Sequence, residues 1–161
     1  MTDIDDFDLR ILRELQQDGS LTNAELGDRV HLSASQCSRR LQRLTAAGVI
    51  DRFTAVLSRN GLGLTFAAYV MVTVRSHAQD DLNAFRDRIL ALDEVLECAK
   101  ITGDADYLLK IVACDLHQFN DILTENIMRA PEVSRVRSSI VLHELKSTSQ
   151  LPLPPETRSR G

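Results

Sequence analysis

The chain has 161 residues, 43% hydrophobic and 26% charged, with a formal charge of −4. This composition is ordinary for a globular protein of one or two domains and excludes wholesale disorder. No apolar run approaches the roughly 18 residues of a membrane span, and the acidic N-terminus does not read as a signal peptide, so no membrane association and a cytoplasmic location are the expectation.

Residues 3–18, DIDDFDLRILRELQQD, place Phe7, Ile11, Leu12 and Leu15 on one helical face, with Asp3, Asp5 or Asp6 available as caps. The clustered aspartates carry no glycine turn or calcium-loop spacing, so they read as capping and solvation. Gly19 ends this helix. Cys37, Cys98 and Cys114 form no CxxC pair, and the four histidines are scattered singly, so neither a metal site nor a cofactor is expected.

The stretch Leu21–Gly48 carries two capping boxes, Thr22 with Glu25 and Ser33 with Gln36, which start helices over about 23–30 and 34–47. Gly48 can take the left-handed conformation that closes the second. A short connection through His31 and Leu32 makes the pair a helix-turn-helix. On the second helix Cys37, Leu41 and Leu44 share an inward face, while Ser35, Arg39, Gln42 and Arg43 lie opposite, flanked by Gln36 and Arg40. Those residue types read base edges and grip phosphates.

Charge placement supports that reading. Residues 29–60 hold six arginines against one acid, Asp51, whereas residues 1–28 hold eight acids against two arginines. A net-acidic chain has concentrated positive charge on one segment, as a nucleic-acid footprint requires. Ser35, Gln36, Arg39 and Arg43 are expected to approach base edges, whereas Arg40, Arg52 and Arg59 are expected to hold phosphates or structure.

Val49–Leu57 is rich in β-formers and alternates through Phe53, Ala55 and Leu57, predicting a strand that is either a wing or a linker. Ser58 to Leu64 combines turn residues with two glycines and is the expected linker (58–64) between a first domain over 1–57 and a second over 65–146. The second half reads as strand 65–75, helix 79–91, strand 95–102, strand 106–114, helix 116–129 and strand 133–145, with a Glu-Val pair (Glu94 Val95, Glu132 Val133) opening the strand after each helix. The order βαββαβ is the ferredoxin-like arrangement, giving an α+β protein overall. In the first strand Phe66, Ala68, Val70, Val72 and Val74 form one set and Ala67, Tyr69, Met71 and Thr73 the other. Both are substantially apolar while the domain's helices cover only one, so the uncovered face is expected to pack on a second copy. Residues 147–161 hold three of the four prolines and read as a tail whose first part lies on the domain.

The chain resembles the Lrp/AsnC family, the feast/famine transcriptional regulators, over nearly its whole length. The carriers are Asp8, Ile11 Leu12, Leu15 Gln16 and Asp18 Gly19; Leu32 Ser33, Cys37, Arg40, Arg43 and Leu44; Gly48 Val49 Ile50; Thr102 Gly103 and Asp106 Tyr107; and Leu151 Pro152 Leu153. The resemblance implies a winged-helix-like DNA-binding domain, with Ser35, Gln36, Arg39, Arg40 and Arg43 toward double-stranded DNA. It also implies a ferredoxin-like domain that binds an amino acid or related small molecule and dimerises, the dimers assembling to tetramers or octamers. In the family the effector pocket adjoins the loop matching Thr102–Asp106, which implicates Thr102, Gly103, Asp104 and Asp106, with Ser138 and Ser139 as polar neighbours. Ala105 stands where family members often carry an aromatic residue, which reshapes the pocket. The expected function is a sequence-specific DNA-binding regulator modulated by such an effector, and not an enzyme. The alternatives are a haem-pathway decarboxylase-like enzyme of the same layout, for which no clustered histidine and arginine catalysts are present, and an amino-acid-sensing module without DNA binding.

Overall fold

Helix α1 spans Asp6–Gln17 and opens on Asp5, whose side chain accepts the Asp8 N–H while the Asp8 carboxylate accepts the Asp5 N–H. Of the three aspartates expected as caps, Asp3 lies outside the described residues, which run from 4 to 155 in this computed structural model. Helix α2 (Asn23–Val30) and helix α3 (Ala34–Ala46) open on the two capping boxes read from the sequence. The Glu25 N–H reaches Thr22 Oγ1 at 3.3 Å and the Thr22 N–H reaches Glu25 Oε2 at 2.8 Å. Gly48 stands at φ +70° just after α3, and His31 takes the left-handed conformation, φ +59°, in the turn between α2 and α3.

The chain divides into two units, residues 1–56 with 146–161, and residues 57–145. In the first, Ile11, Leu12, Leu26, Val30, Cys37 and Leu44 form a core, bordered by Leu15, Leu32, Leu41, Val49, Ile50 and Leu153. Two expectations change here. Phe7 is not in the core but half exposed at its rim, and Asp8 is fully buried instead. The reason is helical phase: Asp8 lies three and four residues before Ile11 and Leu12, hence on their face, while Phe7 lies a step round the barrel. The strand expected over 49–57 is absent, and Phe53, Val56 and Leu57 are exposed. A strand exists only against a hydrogen-bonding neighbour, and among the described residues none runs beside this segment. Leu153, by contrast, brings the tail onto the first core, where the Leu151 N–H donates to Gln16 Oε1 (2.6 Å) and Gln16 Nε2 donates to the Leu151 carbonyl (3.1 Å).

The second unit begins with a 3₁₀ turn at Asn60–Leu62 and continues as β1 (Phe66–Val74), α4 (Gln79–Leu90), β2 (Val95–Lys100), β3 (Tyr107–Ala113), α5 (Leu116–Asp121) and β4 (Val133–Ile140). Helix α5 runs on through a π-helical stretch, Ile122–Met128. The sheet order is β2-β3-β1-β4 with every neighbouring pair antiparallel, which is the ferredoxin-like topology. β4 stops at Ile140 rather than 145 because β1, its partner, begins at Phe66; the last bond is from the Val141 N–H to the Ala67 carbonyl, 2.9 Å. One face of the sheet packs Ala68, Val70, Val72, Val74, Leu109 and Ile111 against Phe85, Ile89, Phe119, Ile122 and Ile127 of the helices. The opposite face carries Tyr69, Met71 and Leu108 along its middle, with Arg135 and Arg137 of β4 on one margin opposite Thr73 and Met71.

Candidate nucleic-acid interface and effector site

Cys37 and Leu44 anchor α3 in the first core, so the helix turns Ser35, Arg39, Gln42 and Arg43 outward, all exposed. Ser35 Oγ lies 3.1 Å from Ser33 Oγ. Gln36 spends its Oε1 on the cap, accepting the Ser33 N–H at 2.9 Å and the Ser33 hydroxyl at 2.9 Å, so only its amide nitrogen is left to reach a ligand. Arg39 has no acidic partner among the described residues.

Arg40 and Arg43 are placed differently. Arg40 Nη1 donates to both Asp5 oxygens (2.9 and 2.7 Å) and to Asp8 Oδ1 (2.8 Å), and its guanidinium lies 5.4 Å from the Phe7 ring centre. Arg43 Nη2 donates to the other Asp8 oxygen. Partial burial works against the Arg40 charge, yet the Asp5 and Asp8 carboxylates outweigh it and raise its pKa. Asp5 is likewise held below the ordinary carboxylate range: its burial opposes ionisation but is outweighed by the Asp8 N–H and Arg40. Arg59 pairs with Glu144 at 3.0 Å, in the second unit, whereas Arg52 is exposed, 3.9 Å from its neighbour Asp51. The arginines that look alike in sequence are thus three kinds: unpaired, half-committed and committed. Asp8 was legible only as a helix N-terminal acid, although its phase with Ile11 and Leu12 pointed inward.

In the second unit the β2–β3 connection is held from both sides. The Ile101 N–H donates to the Asp106 carbonyl (2.9 Å), the Asp106 N–H to the Val72 carbonyl (3.0 Å), and the Val74 N–H to Asp106 Oδ2 (2.9 Å). The other Asp106 oxygen faces His77 Nε2 at 3.4 Å, so this carboxylate serves mainly to tie the loop to β1. Gly103 takes φ +112°, which only glycine adopts readily, and nothing lies within 4 Å of the place where a Cβ would stand. Thr102 and Asp104 are exposed and Ala105 is buried. Beside the loop is a small recess lined by Met71, Thr73, Asp104, Ala105, Arg135 and Arg137. Ser138 and Ser139 lie further along β4, opposite Val70 and Tyr69, so they stand on opposite faces of the sheet. Ser139 shares the open face with the recess but stands two residues beyond Arg137, away from the loop, while Ser138 belongs to the other side. The sequence reading missed Arg135 and Arg137; their alternation with Val136 on the last strand was the available signal.

A helix-turn-helix with an unpaired arginine on its outer helix, joined in one chain to a ferredoxin-like unit, defines a DNA-binding regulator with a ligand-binding half. Comparison with known proteins agrees. Residues 4–51 match the profile described as winged helix-turn-helix DNA-binding, and residues 67–151 match that of the Lrp/AsnC ligand binding domain. The chain is 36% identical over 149 residues to the leucine-responsive regulatory protein of Escherichia coli K12, covering 92% of this chain and 91% of that one. Its fold matches a transcriptional regulator of Neisseria meningitidis solved in complex with L-Met (TM-score 0.90, 37% identity, 93% of this chain and 97% of that one). It also matches the feast or famine regulatory protein of M. tuberculosis complexed with L-methionine (TM-score 0.83, 30% identity, 92% and 99%). The chain belongs to the Lrp/AsnC family of transcriptional regulators, and it is a regulator rather than an enzyme.

Proposed function

We propose that this regulator binds double-stranded DNA through α3 and responds to an amino acid or related small molecule bound beside the β2–β3 loop. Ser35 and Arg39 approach base edges, Arg43 contributes its outward nitrogens, the Gln36 amide supplements them, and Arg40 supports the helix from behind. The observation that carries the DNA reading is Arg39: exposed, without an acidic partner among the described residues, on a helix fixed at its start by a reciprocal cap and along its length by Cys37 and Leu44. For the effector, Asp104 borders the recess with Thr102 and Gly103 next to it in the loop and Ser139 further along the same sheet face; the Asp104 carboxylate suits an α-ammonium group and the bare Gly103 allows close backbone approach. Asp106 shapes the loop, and Ser138, on the sheet's other face, is left out of the site. Support for an amino-acid effector comes from the two relatives solved with methionine.

The protein acts in the cytoplasm as a homodimer built on the open sheet face, with tetramers or octamers of dimers above it. No helix of the described residues is long and apolar enough to cross a membrane. The test is selection of bound genomic fragments with and without a panel of amino acids, followed by titration against salt. Affinity falling steeply with salt and shifted by one amino acid supports the reading. Salt-independent binding, or none to any duplex, defeats it.

A further inference from the structure

Among the described residues of the first unit, Asp8 is the one acidic side chain that is fully buried, and it faces α3 rather than solvent. One of its oxygens takes Arg40 and the other takes Arg43. The Asp8 side chain has 0% exposure, Arg40 23% and Arg43 47%. Asp5 adds a second carboxylate on Arg40 alone, and Phe7 stacks on the same guanidinium. Asp5, Asp8, Arg40 and Arg43 therefore form a four-membered cluster of zero net charge at the root of the helix that carries Arg39.

A carboxylate accepts a guanidinium in the geometry that a phosphate or a guanine edge does. An arginine anchored by one nitrogen has its swing restricted, and the carboxylate beside it offsets much of its charge toward a nearby phosphate. Resting on the reading of α3 as the DNA-contacting helix, we propose that Asp8 is a specificity-determining positioning residue. It anchors Arg43 through Nη2, so that the arginine's remaining N–H groups reach outward from a restrained position to meet one base-pair geometry, and it offsets the charge that would otherwise grip any phosphate. Asp5 performs the lesser task of keeping Arg40 off the DNA. The helix thus presents Arg39 as its uncancelled charge, and the acidic N-terminal segment is part of the DNA-reading apparatus.

This assignment predicts effects of opposite sign on two kinds of DNA. In the full-length protein, Asp8→Asn frees the Arg43 charge and its orientation together. Binding to a selected genomic fragment should weaken about 10-fold or more, the loss expected when a bidentate base contact goes. Binding to a scrambled duplex should tighten, and the slope of log affinity against log salt should steepen by about 0.9 per released arginine. In the double variant Asp8→Asn with Arg43→Gln the slope returns to the wild-type value while the selectivity stays low. Fluorescence anisotropy across a salt series, on protein whose fold is checked by circular dichroism, reads all three.

A merely structural Asp8 would weaken both DNAs alike with an unchanged or shallower slope, and that result overturns the proposal. Where Asp8→Asn does not fold, the exposed Arg43→Gln decides: an arginine already anchored and cancelled by Asp8 gives up selectivity while the slope stays nearly unchanged, and that supports the inference. Binding that weakens alike on both DNAs, with a slope shallower by about 0.9, marks Arg43 as an ordinary phosphate contact and overturns it. Wild-type protein that ignores DNA at low salt would defeat the underlying DNA reading instead, so the two failures are distinct.

Discussion

Gly27 is the residue on which the position of the recognition helix is most sharply exposed to test. It is buried in α2, and a Cβ built on it would stand 2.4 Å from the Leu32 carbonyl oxygen, in the turn that leads into α3. Contacts below 3.0 Å are essentially never tolerated by a Cβ, so Gly27→Ala must push the turn back by at least about 0.6 Å. The obstacle is backbone, and that backbone is itself tied down: the Leu32 N–H donates to the Gly27 carbonyl at 3.0 Å, as does the His31 N–H. Alanine gains roughly 1 kcal/mol of helix propensity over glycine. Overpacking against an element that cannot yield costs about 1 to 3 kcal/mol and sometimes more. The net expectation is a first unit destabilised by up to about 2 kcal/mol, with α3 displaced from its seat. Hydrogen exchange on the intact protein should show α2–α3 amides opening up to about 30-fold faster and those of β1 and β3 unchanged. Gly19→Ala is the control, since its Cβ would meet the Leu15 carbonyl at an ordinary 3.7 Å. Equal exchange in Gly27→Ala and wild type, with the Leu32 carbonyl unmoved in a crystal structure of the variant, would refute the argument that α2 and the turn touch without room for a methyl group.

Other outcomes follow from the same geometry. Arg39→Ala should lower affinity for a selected operator by about 1 to 3 kcal/mol while light scattering shows the dimer intact; unchanged gel-shift affinity would remove Arg39 from the base-reading set. Met71→Asp, which places a charge in the middle of the open sheet face, should dissociate the proposed dimer in sedimentation velocity, whereas the same change at the exposed Gln79 should not. The Glu25 carboxyl is held below its ordinary value by the Thr22 hydroxyl and N–H, and Asp115 by the Gln118 N–H. Their folded values lie below their unfolded ones, so the stability they add is complete above the ordinary carboxylate range and is lost as pH falls through the lowered values. Thermal midpoints should therefore change little on account of these groups from pH 7 to 5 and fall below about pH 4, less steeply in Glu25→Gln, where the amide oxygen can keep the cap.

Much of this was readable from local chemistry. Capping boxes depend on residues three apart, so Thr22 with Glu25 and Ser33 with Gln36 marked the starts of α2 and α3, and the alternation of apolar residues marked β1. What was not readable depended on partners distant in sequence. Arg43 looks like Arg39 until Asp8, 35 residues earlier, is seen beneath it. Val49–Leu57 has the composition of a strand, but composition supplies no neighbour to bond. The end of β4 was misplaced because strand length is set by the partner, and β1 runs out first. In the effector loop the turn residues were visible, whereas the commitment of Asp106 to the Val74 N–H and the approach of Arg135 and Arg137 come from strand register. Gly27 read as an ordinary helical glycine, because only the folded turn shows why a side chain cannot stand there.

The tail shows how the first unit meets a shortage of apolar surface. Three helices within about 56 residues bury too little to be comfortably stable by themselves, since a domain near 60 residues hides only about 60% of its chain's surface. Leu153 joins the border of the helical core, and Gln16 holds the tail by exchanging hydrogen bonds with Leu151 in both directions, while Gln150 Nε2 donates to the Gln16 carbonyl at 3.0 Å. Gln16 is thus a polar residue whose side chain stands in for a strand neighbour, giving the extended tail a partner that Val49–Leu57 lacks. The prolines suit this use, because Pro152 and Pro154 hold an extended backbone at little entropic cost and offer no N–H that would go unpaired. The same unit thus takes in chain from both sides of the ferredoxin-like domain, through residues 51–56 and through 146–155.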